Sequence, residues 1–278
     1  MTKWMLLFSL LFTSACDSRP KESAAKAPLA FAYLLPLLER DVKQVREGLP
    51  KGAEVLGKLI DDDPGHDPEG LRHNLEKARA AVTELAIAKS TFFIFVAPNG
   101  TVLRSEADPD LAVGGSIFKE IPEARRIFDK PGVSELFGSM HGLRGVQTGG
   151  DLQWVLGQPV SLPSGKTVGA FVTGWSYRKY ADFLESALRR NLVDTAENKK
   201  RASPLTYVFF ARGAKAYGGA VTPDVDADAI AKLDLPNTIG DELFHATITV
   251  DEQTYALVAK RVPSLDKDTV LVLLLAVV

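Results

Sequence analysis

The chain has 278 residues, of which 46% are hydrophobic and 24% are charged, a composition ordinary for a globular protein with one large domain or two small ones. The formal net charge is −2 at pH 7 and there is no long basic run, which argues against nucleic acid as a partner. The single cysteine excludes a haem attached through a Cys-x-x-Cys-His motif.

The N-terminus has the composition of an export signal. Lys3 precedes an apolar run at residues 4–12 that is too short to span a bilayer. Thr13, Ser14 and Ala15 then lead to Cys16, and small residues before a cysteine resemble the bacterial lipobox, although Thr13 departs from its usual aliphatic residue. The resemblance implies a lipoprotein signal peptide over residues 1–15 and lipidation of Cys16. A signal peptide cleaved elsewhere is the alternative.

A lipidated Cys16 has consequences for location and chemistry. Two or three acyl chains, palmitate among them, anchor a protein stably, whereas one chain binds only marginally. No free thiol remains, so disulfides and thiol catalysis are excluded. Residues 16–27 are rich in Ala, Lys and Ser and are typical of a tether. We therefore expect a protein anchored in the cell envelope and facing the periplasm, with inner or outer membrane left open.

Helices are predicted over residues 28–90. Residues 27–48 carry an apolar stripe, with Pro36 expected in a first turn or at a kink and an interruption at residues 50–52. Asp67 and Pro68 are typical of a helix start. The helix that follows, over residues 68–89, has one narrow apolar face formed by Leu71, Leu75, Ala78, Val82 and Leu85. We expect this face to pack on a sheet, with a homodimer seam as the alternative.

The next residues predict an antiparallel sheet. An apolar run at residues 91–96, the turn at residues 97–100 and a second run at residues 101–105 indicate a β-hairpin, because Asn99-Gly100 accepts the positive φ angles of a tight turn. A helical, loop-like region is expected over residues 108–142. Two further strands are predicted at residues 153–161 and 167–175.

A second unit repeats this order. A connecting helix is predicted over residues 180–200, and a strand over residues 205–211 begins the repeat. A short helix is expected at residues 223–234, followed by strands at residues 243–250, 254–262 and 270–278. The predicted fold class is therefore α+β, with N-terminal helices followed by two units at residues 91–184 and 185–278, each a mainly antiparallel sheet with flanking helices.

This arrangement resembles the extracytoplasmic, PAS-like sensor domains of the Cache superfamily. The resemblance covers residues 27–278 and is carried by the hairpin Phe-Val-Ala-Pro-Asn-Gly-Thr-Val-Leu (95–103), the segment Asp-Leu-Ala-Val-Gly-Gly-Ser-Ile-Phe (110–118) and the strand Val-Gly-Ala-Phe-Val (168–172). Two such units resemble a double Cache module. The resemblance implies binding of a small molecule, usually in the first unit, and signalling through a membrane or envelope protein. The amino-acid-sensing pattern of that family has no counterpart at residues 116–137.

Alternation along the two strands of the first unit divides their side chains between two faces. One face is small and smooth and suits helix packing. The other combines aromatic bodies with polar groups, as pocket linings do. The candidate ligand-binding residues are Trp154, Gln158, Thr173, Trp175 and Tyr177 on that face, with Arg104, His141 and Gln147 from neighbouring elements. The alternative is that the aromatic side chains simply fill the core.

Enzyme and metal motifs are incomplete. Ser116 and Lys119 fit Ser-x-x-Lys, but the Ser-Asp-Asn partner is absent. The acids at residues 224, 226 and 228 lack the glycine and the closing glutamate of a calcium loop, so they indicate a helix start. The four histidines are scattered. We expect no catalysis, no cofactor and no metal.

The leading hypothesis is a membrane-anchored lipoprotein that senses or binds a small molecule and has a protein partner for output. An envelope scaffold or assembly lipoprotein, with its pocket filled by side chains, is the main alternative. A hydrolase built around Ser116, Lys119 or His141 is a third. A helix-mediated homodimer remains compatible with the sequence.

Overall fold

The computed structural model describes residues 18–140, 151–194 and 203–277. Its helices are α1 (Arg19–Leu59), α2 (Pro68–Ala81), α3 (Thr83–Ile87), α4 (Ile117–Glu120), a 3-10 helix (Pro122–Ile127), α5 (Tyr177–Asp194), α6 (Asp224–Lys232) and α7 (Leu235–Thr238). Its strands are β1 (Phe92–Val96), β2 (Val102–Ser105), β3 (Ser134–Gly138), β4 (Gln153–Ser161), β5 (Thr167–Ser176), β6 (Leu205–Arg212), β7 (Lys215–Gly218), β8 (Phe244–Val250), β9 (Gln253–Arg261) and β10 (Thr269–Ala276).

Over the described ranges, the strands form two five-stranded sheets with the same topology. The first has the order β2-β1-β5-β4-β3 and the second β7-β6-β10-β9-β8, and neighbouring strands in both are antiparallel. Each strand of the second sheet therefore occupies the position of its counterpart in the first. This confirms the predicted α+β class and the predicted repeat of one PAS-like unit.

Helix α1 is the longest element and contacts both sheets. Its 41 residues give a rod roughly 60 Å long. Pro28, Pro36 and Pro50 all lie inside it, so the interruption expected at residues 50–52 is wrong. It also begins at Arg19, so most of the segment expected to be a tether is helical. Each internal proline removes a hydrogen bond, but the apolar stripe of the helix is buried along its whole length, and this burial maintains the helix.

Helix α2 begins as predicted. Asp67 is its N-cap, and the Asp67 carboxylate accepts a hydrogen bond from the backbone N–H of Gly70 at 2.9 Å. The narrow apolar face of α2 and α3 is buried in the cluster that contains the stripe of α1 and the inner face of the first sheet. The face therefore packs within the chain, on α1 as well as on the sheet, and is not free to form a dimer seam.

The β1–β2 hairpin forms where it was predicted, with Phe95 opposite Arg104. Gly100 has φ 87°, and a Cβ there would lie 2.4 Å from the ring of Phe118, so the turn needs glycine for both its φ angle and its close packing. Strand β3 was not predicted. It lies in the region expected to be helical or loop-like, and it forms the edge of the first sheet by pairing Leu136 with Val155 of β4.

Three hydrophobic clusters make up the core of the described residues. The largest lies between α1 and the inner faces of both sheets. The second lies on the outer face of the first sheet, beneath α4 and the 3-10 helix. The third lies on the outer face of the second sheet, beneath α6 and α7. Both faces of both sheets are therefore covered except at the edge strand β8, where Phe244, His245, Thr247 and Thr249 are exposed. Helix α1 joins the two units through one continuous core.

Candidate functional site

The aromatic residues predicted to line a pocket lie together in the core. Trp154, Trp175 and Tyr177 have no exposed surface and belong to the cluster beneath α1. The Trp175 ring stacks on Tyr180 of α5, with centroids 4.3 Å apart and planes 11° apart, and its centroid is also 4.3 Å from that of Trp154. The structure thus brings the aromatic set together, but in packed surroundings.

The two faces of the first sheet have different helical partners. The small outer face does pack helices, as expected: a Cβ at Gly157 would lie 2.4 Å from Ile127 of the 3-10 helix, and a Cβ at Gly138 2.6 Å from Ile121. The long helix α1, however, covers the aromatic inner face. The large rings of the inner face fill the space beneath α1, whereas the glycines of the outer face let the 3-10 helix and the residue before it approach the sheet closely.

Most polar groups of the aromatic set have protein partners. Trp154 Nε1 donates to Glu135 Oε2 at 3.2 Å, and Thr173 Oγ1 donates to the carbonyl of Phe92 at 2.7 Å. In the described part of the chain, Trp175 Nε1 is buried without a hydrogen-bond partner. The hydrogen bonds of Trp154 and Thr173 therefore occupy polar groups that a ligand on this face would otherwise bind.

Tyr177 joins the first unit to the second. Its hydroxyl and the Thr269 hydroxyl are 2.9 Å apart. Thr269 also donates to Asp266, which pairs with Arg212 at 2.8 Å. Burial raises the pKa of Tyr177 well above its ordinary value, so its phenol is neutral. The residue therefore contributes to the contact between the units.

Arg104 is held at the edge of the first sheet. It forms an ion pair with Glu69 of α2, and its Nε lies 3.8 Å from Asp110 Oδ2. Its strand, β2, is separated from β5 by β1. The structure thus does not place Arg104 among the tryptophans. The predicted residues His141, Gln147 and Cys16 lie outside the described residues.

An open cavity of about 460 Å³ lies on the first unit and includes Gln158, one of the predicted residues. It is bounded by the segment after the 3-10 helix and by the ends of β4 and β5, and its lining is Pro98, Phe128, Asp129, Lys130, Pro131, Gln158, Pro159, Ser161 and Thr167. Phe128 packs on the outer cluster of the first sheet, whereas Gln158 alternates with Trp154 and Leu156 of the inner face. The cavity therefore lies at the end of the sheet and borders both faces. Gln158 Oε1 is buried with no hydrogen-bond partner among the described residues.

The cavity residues could be found only in part from the sequence. Asp129 and Lys130 are exposed and lie at the end of the 3-10 helix, next to Pro131-Gly132, a pair typical of a loop. Nothing in the sequence placed that loop beside β4, because this contact depends on β3, which follows the loop and pairs with β4.

A second cavity, of about 340 Å³, lies where α1 connects to α2 and contains Asp61, Asp62, Asp63, His66 and Asp67. Across the described ranges, no group of three or more possible ligands is placed to hold a metal ion. Ser116 is partly buried at the start of α4 and Lys119 is exposed. In the part of the chain that the structure describes, no hydrogen bond joins these two side chains.

Neither a protein-family model nor a curated protein sequence matches this chain. Solved structures match its fold. An extracellular ligand-binding receptor from Desulfohalobium retbaense DSM5692 superposes with a TM-score of 0.51 and 12% identity, over 89% of this chain and 39% of that receptor. The domain of a sensory box/GGDEF family protein from Vibrio parahaemolyticus superposes with a TM-score of 0.51 and 10% identity, over 93% of this chain and 97% of that domain.

The sensor domain of the V. cholerae histidine kinase DctB superposes with a TM-score of 0.48 and 12% identity, over 92% of this chain and 96% of that domain. The chain therefore shares its two-unit α+β fold with the Desulfohalobium receptor and the Vibrio parahaemolyticus domain. It spans 39% of the length of the Desulfohalobium receptor. Among the described helices, none is long and apolar enough to cross a membrane.

Proposed function

We propose that this protein is a lipid-anchored sensor of the cell envelope that binds a small molecule in its first PAS-like unit and signals through a partner protein. The observation that carries the proposal is the 460 Å³ cavity of the first unit. Its volume is within the range of small-molecule sites, and it combines an aromatic ring and prolines with charged and polar groups.

The cavity supports binding better than the aromatic set does. Trp154, Thr173 and Trp175 are fully buried, so a ligand at that position would have to displace core side chains. The cavity is open, and its rim carries exposed Asp129 and Lys130, groups of opposite charge that can orient a polar ligand. Of the predicted residues, we retain Gln158 as part of the ligand site.

Lipidation of Cys16 is the second part of the proposal. Helix α1 begins at Arg19, so a lipid on Cys16 would lie within a few residues of a rigid rod. The backbone N–H of Val277 donates to Ser23 Oγ at 2.9 Å, which holds the end of the second unit beside the start of α1. The second unit would therefore face the membrane, and the first unit would lie away from it.

The test is a thermal-shift screen of the full chain, purified in detergent, against organic acids, amines, amino acids, purines and metals. A molecule that binds the native state raises the apparent melting temperature by mass action. Lys130→Ala should abolish the shift caused by an anionic ligand and Asp129→Ala that of a cationic one, while Gln158→Ala weakens either. Glu123→Ala, an exposed acid of the 3-10 helix outside the cavity lining, is the matched control.

A scaffold function is the second candidate, favoured by the filled aromatic face. If no compound shifts the melting temperature, or if every shift survives the cavity substitutions, binding in the first-unit cavity is contradicted. Cross-linking in intact cells, followed by identification of the captured envelope protein, would then test the scaffold. Mass spectrometry of the mature N-terminus tests the anchor directly, because lipidation predicts an acylated Cys16 as the first residue.

A further inference from the structure

Two tyrosines meet on the outer face of the second sheet. Tyr255 of β9 belongs to the cluster on that face and the half-buried Tyr207 of β6 packs against it. Their ring centroids lie 6.1 Å apart. Strand β10 runs between β6 and β9 and contributes Leu274 and the small Ala276 to the same face. In the described part of the chain, neither phenol oxygen has a hydrogen-bond partner.

Helix α6 places a carboxylate over this face. Asp226 is 2% exposed, and Ile230, four residues later on the same side of the helix, is fully buried against the sheet. The flanking acids Asp224 and Asp228 are exposed. A helix start favours acids through its dipole, which accounts for the exposed acids but not for the burial of Asp226.

The Asp226 carboxylate has no hydrogen bond or ion pair with any described residue. Its negative charge acts on both phenols. Burial, and after it the charge of Asp226, raises the pKa of Tyr255 to about 12 and also raises the pKa of Tyr207. Burial and then the negative charge of Asp251 raise the pKa of Asp226 itself. Neither oxygen of this carboxylate is among the fully enclosed side-chain atoms that lack a partner, so both retain contact with solvent and a cation could reach them. Pairing the charge would offset the cost of its near-complete burial.

We propose that Asp226, Tyr207 and Tyr255 form a binding site for a small primary amine in the second unit. An ammonium group has three donors, which match one carboxylate and two phenol oxygens, and the ring faces attract a cation and its short alkyl chain. The negative charges of Asp226 and Asp251 repel a carboxylate, so the site would select an amine over the corresponding amino acid. The proposal does not depend on the ligand site of the first unit.

The test is calorimetric titration of the full chain in detergent with butylammonium chloride. Tetramethylammonium, which has the charge but no donors, and 4-aminobutyrate, which adds a carboxylate, serve as comparison ligands and are expected to bind more weakly. Asp226→Asn removes the charge at constant size and should weaken butylammonium binding at least about tenfold, since a charge-assisted hydrogen bond is lost. Asp228→Asn, on the exposed side of α6, is the matched control and should bind as the wild type does.

Folding of the variants is checked without ligand. Asp226→Asn removes an unpaired buried charge, so its melting temperature should equal or exceed that of the wild type, and butylammonium should raise the wild-type value alone. Tyr255→Phe removes a phenol without a partner and provides a second, structurally mild variant with weakened binding. The proposal is overturned if butylammonium fails to bind the wild type, or if Asp226→Asn and Tyr255→Phe bind it as tightly as the control does. An amine bound in the first unit would instead lose affinity in Asp129→Ala.

Discussion

Arg46 of α1 contacts both units through one guanidinium group. Its Nε and Nη2 donate to the two carboxylate oxygens of Glu135 on β3 at 2.6 and 2.8 Å, and its Nη1 donates to the carbonyl of Ser264 in the β9–β10 connection. Its Cζ lies 5.7 Å from the ring centroid of Trp154, whose indole also bonds to Glu135. Replacing Arg46 with alanine removes all of these contacts.

The loss in the free energy of unfolding of Arg46→Ala can be estimated by adding the contributions of the contacts removed. The Arg46 and Glu135 side chains are 34% and 31% exposed, so solvent screening limits their pair to about 1 kcal/mol. The charged hydrogen bond to Ser264 adds about 1 kcal/mol, and the contact with Trp154 adds about 0.5 kcal/mol. Arg46→Ala should therefore lower the free energy of unfolding by about 2.5 kcal/mol. Arg46→Lys, which retains the charge but not the forked geometry, should recover less than half of that.

The assay is urea unfolding, with the midpoint multiplied by a common slope. Lys43→Ala is the control, because Lys43 is exposed on the same helix and its Nζ is 3.8 Å from Glu47; it should change stability by less than about 0.5 kcal/mol. A double-mutant cycle with Glu135→Ala should show a coupling energy of about 1 kcal/mol. An Arg46→Ala variant as stable as Lys43→Ala, or a coupling near zero, would refute the role of Arg46 between the units.

Two further predictions concern pH and a turn. The Tyr180 hydroxyl donates to Asp41 at 2.8 Å, and burial, then Asp41, raise its pKa above 10.0. The stability that follows from this shift is fully present below the pKa of tyrosine in the unfolded chain and is lost as the pH rises through the pKa in the folded protein. The urea midpoint of the wild type should therefore fall above about pH 10, and in Tyr180→Phe it should fall less. Gly100→Ala should cost at least about 2 kcal/mol, because φ is 87° and a Cβ would meet the Phe118 ring. Gly165→Ala is the control for backbone strain alone, because Gly165 has φ 85° and no atom lies within 4 Å of the added Cβ. If both variants lose the same free energy of unfolding, the contact with the Phe118 ring is unimportant.

Local chemistry was sufficient to predict several elements. The Asn-Gly turn placed the β1–β2 hairpin, and Asp67-Pro68 placed the start of α2, because both depend on neighbouring backbone groups. Strand β4 runs over Gln153–Ser161, the range predicted from β-branched and aromatic residues. The order of elements in both units was also predicted, because each sheet is built from one continuous stretch of the chain.

In other elements, long-range packing determined a secondary structure that the local residue preferences did not predict. Pro50 does not end α1, because Ala53 and Leu56 beyond it are buried against the first sheet. Strand β3 was not predicted, because Ser134–Gly138 is short and includes serine, glutamate and glycine. Its strand conformation depends on pairing with β4. The i, i+4 spacing of Asp226 and Ile230 was available as a signal for a buried carboxylate, but the exposed acids beside it favoured a solvated helix start.

For the candidate sites, the sequence determined which side chains share a face, because alternation along a strand is a property of the backbone alone. It thereby grouped Trp154, Trp175 and Tyr177, which share one cluster of the core. Only the tertiary structure decided that α1 covers that face, that the open cavity lies at the end of β4 beside Lys130, and that Asp226 is buried over the sheet face that carries two tyrosines. Each of these depends on which element covers a face, and that is decided by volume and burial over the whole chain rather than by neighbouring residues.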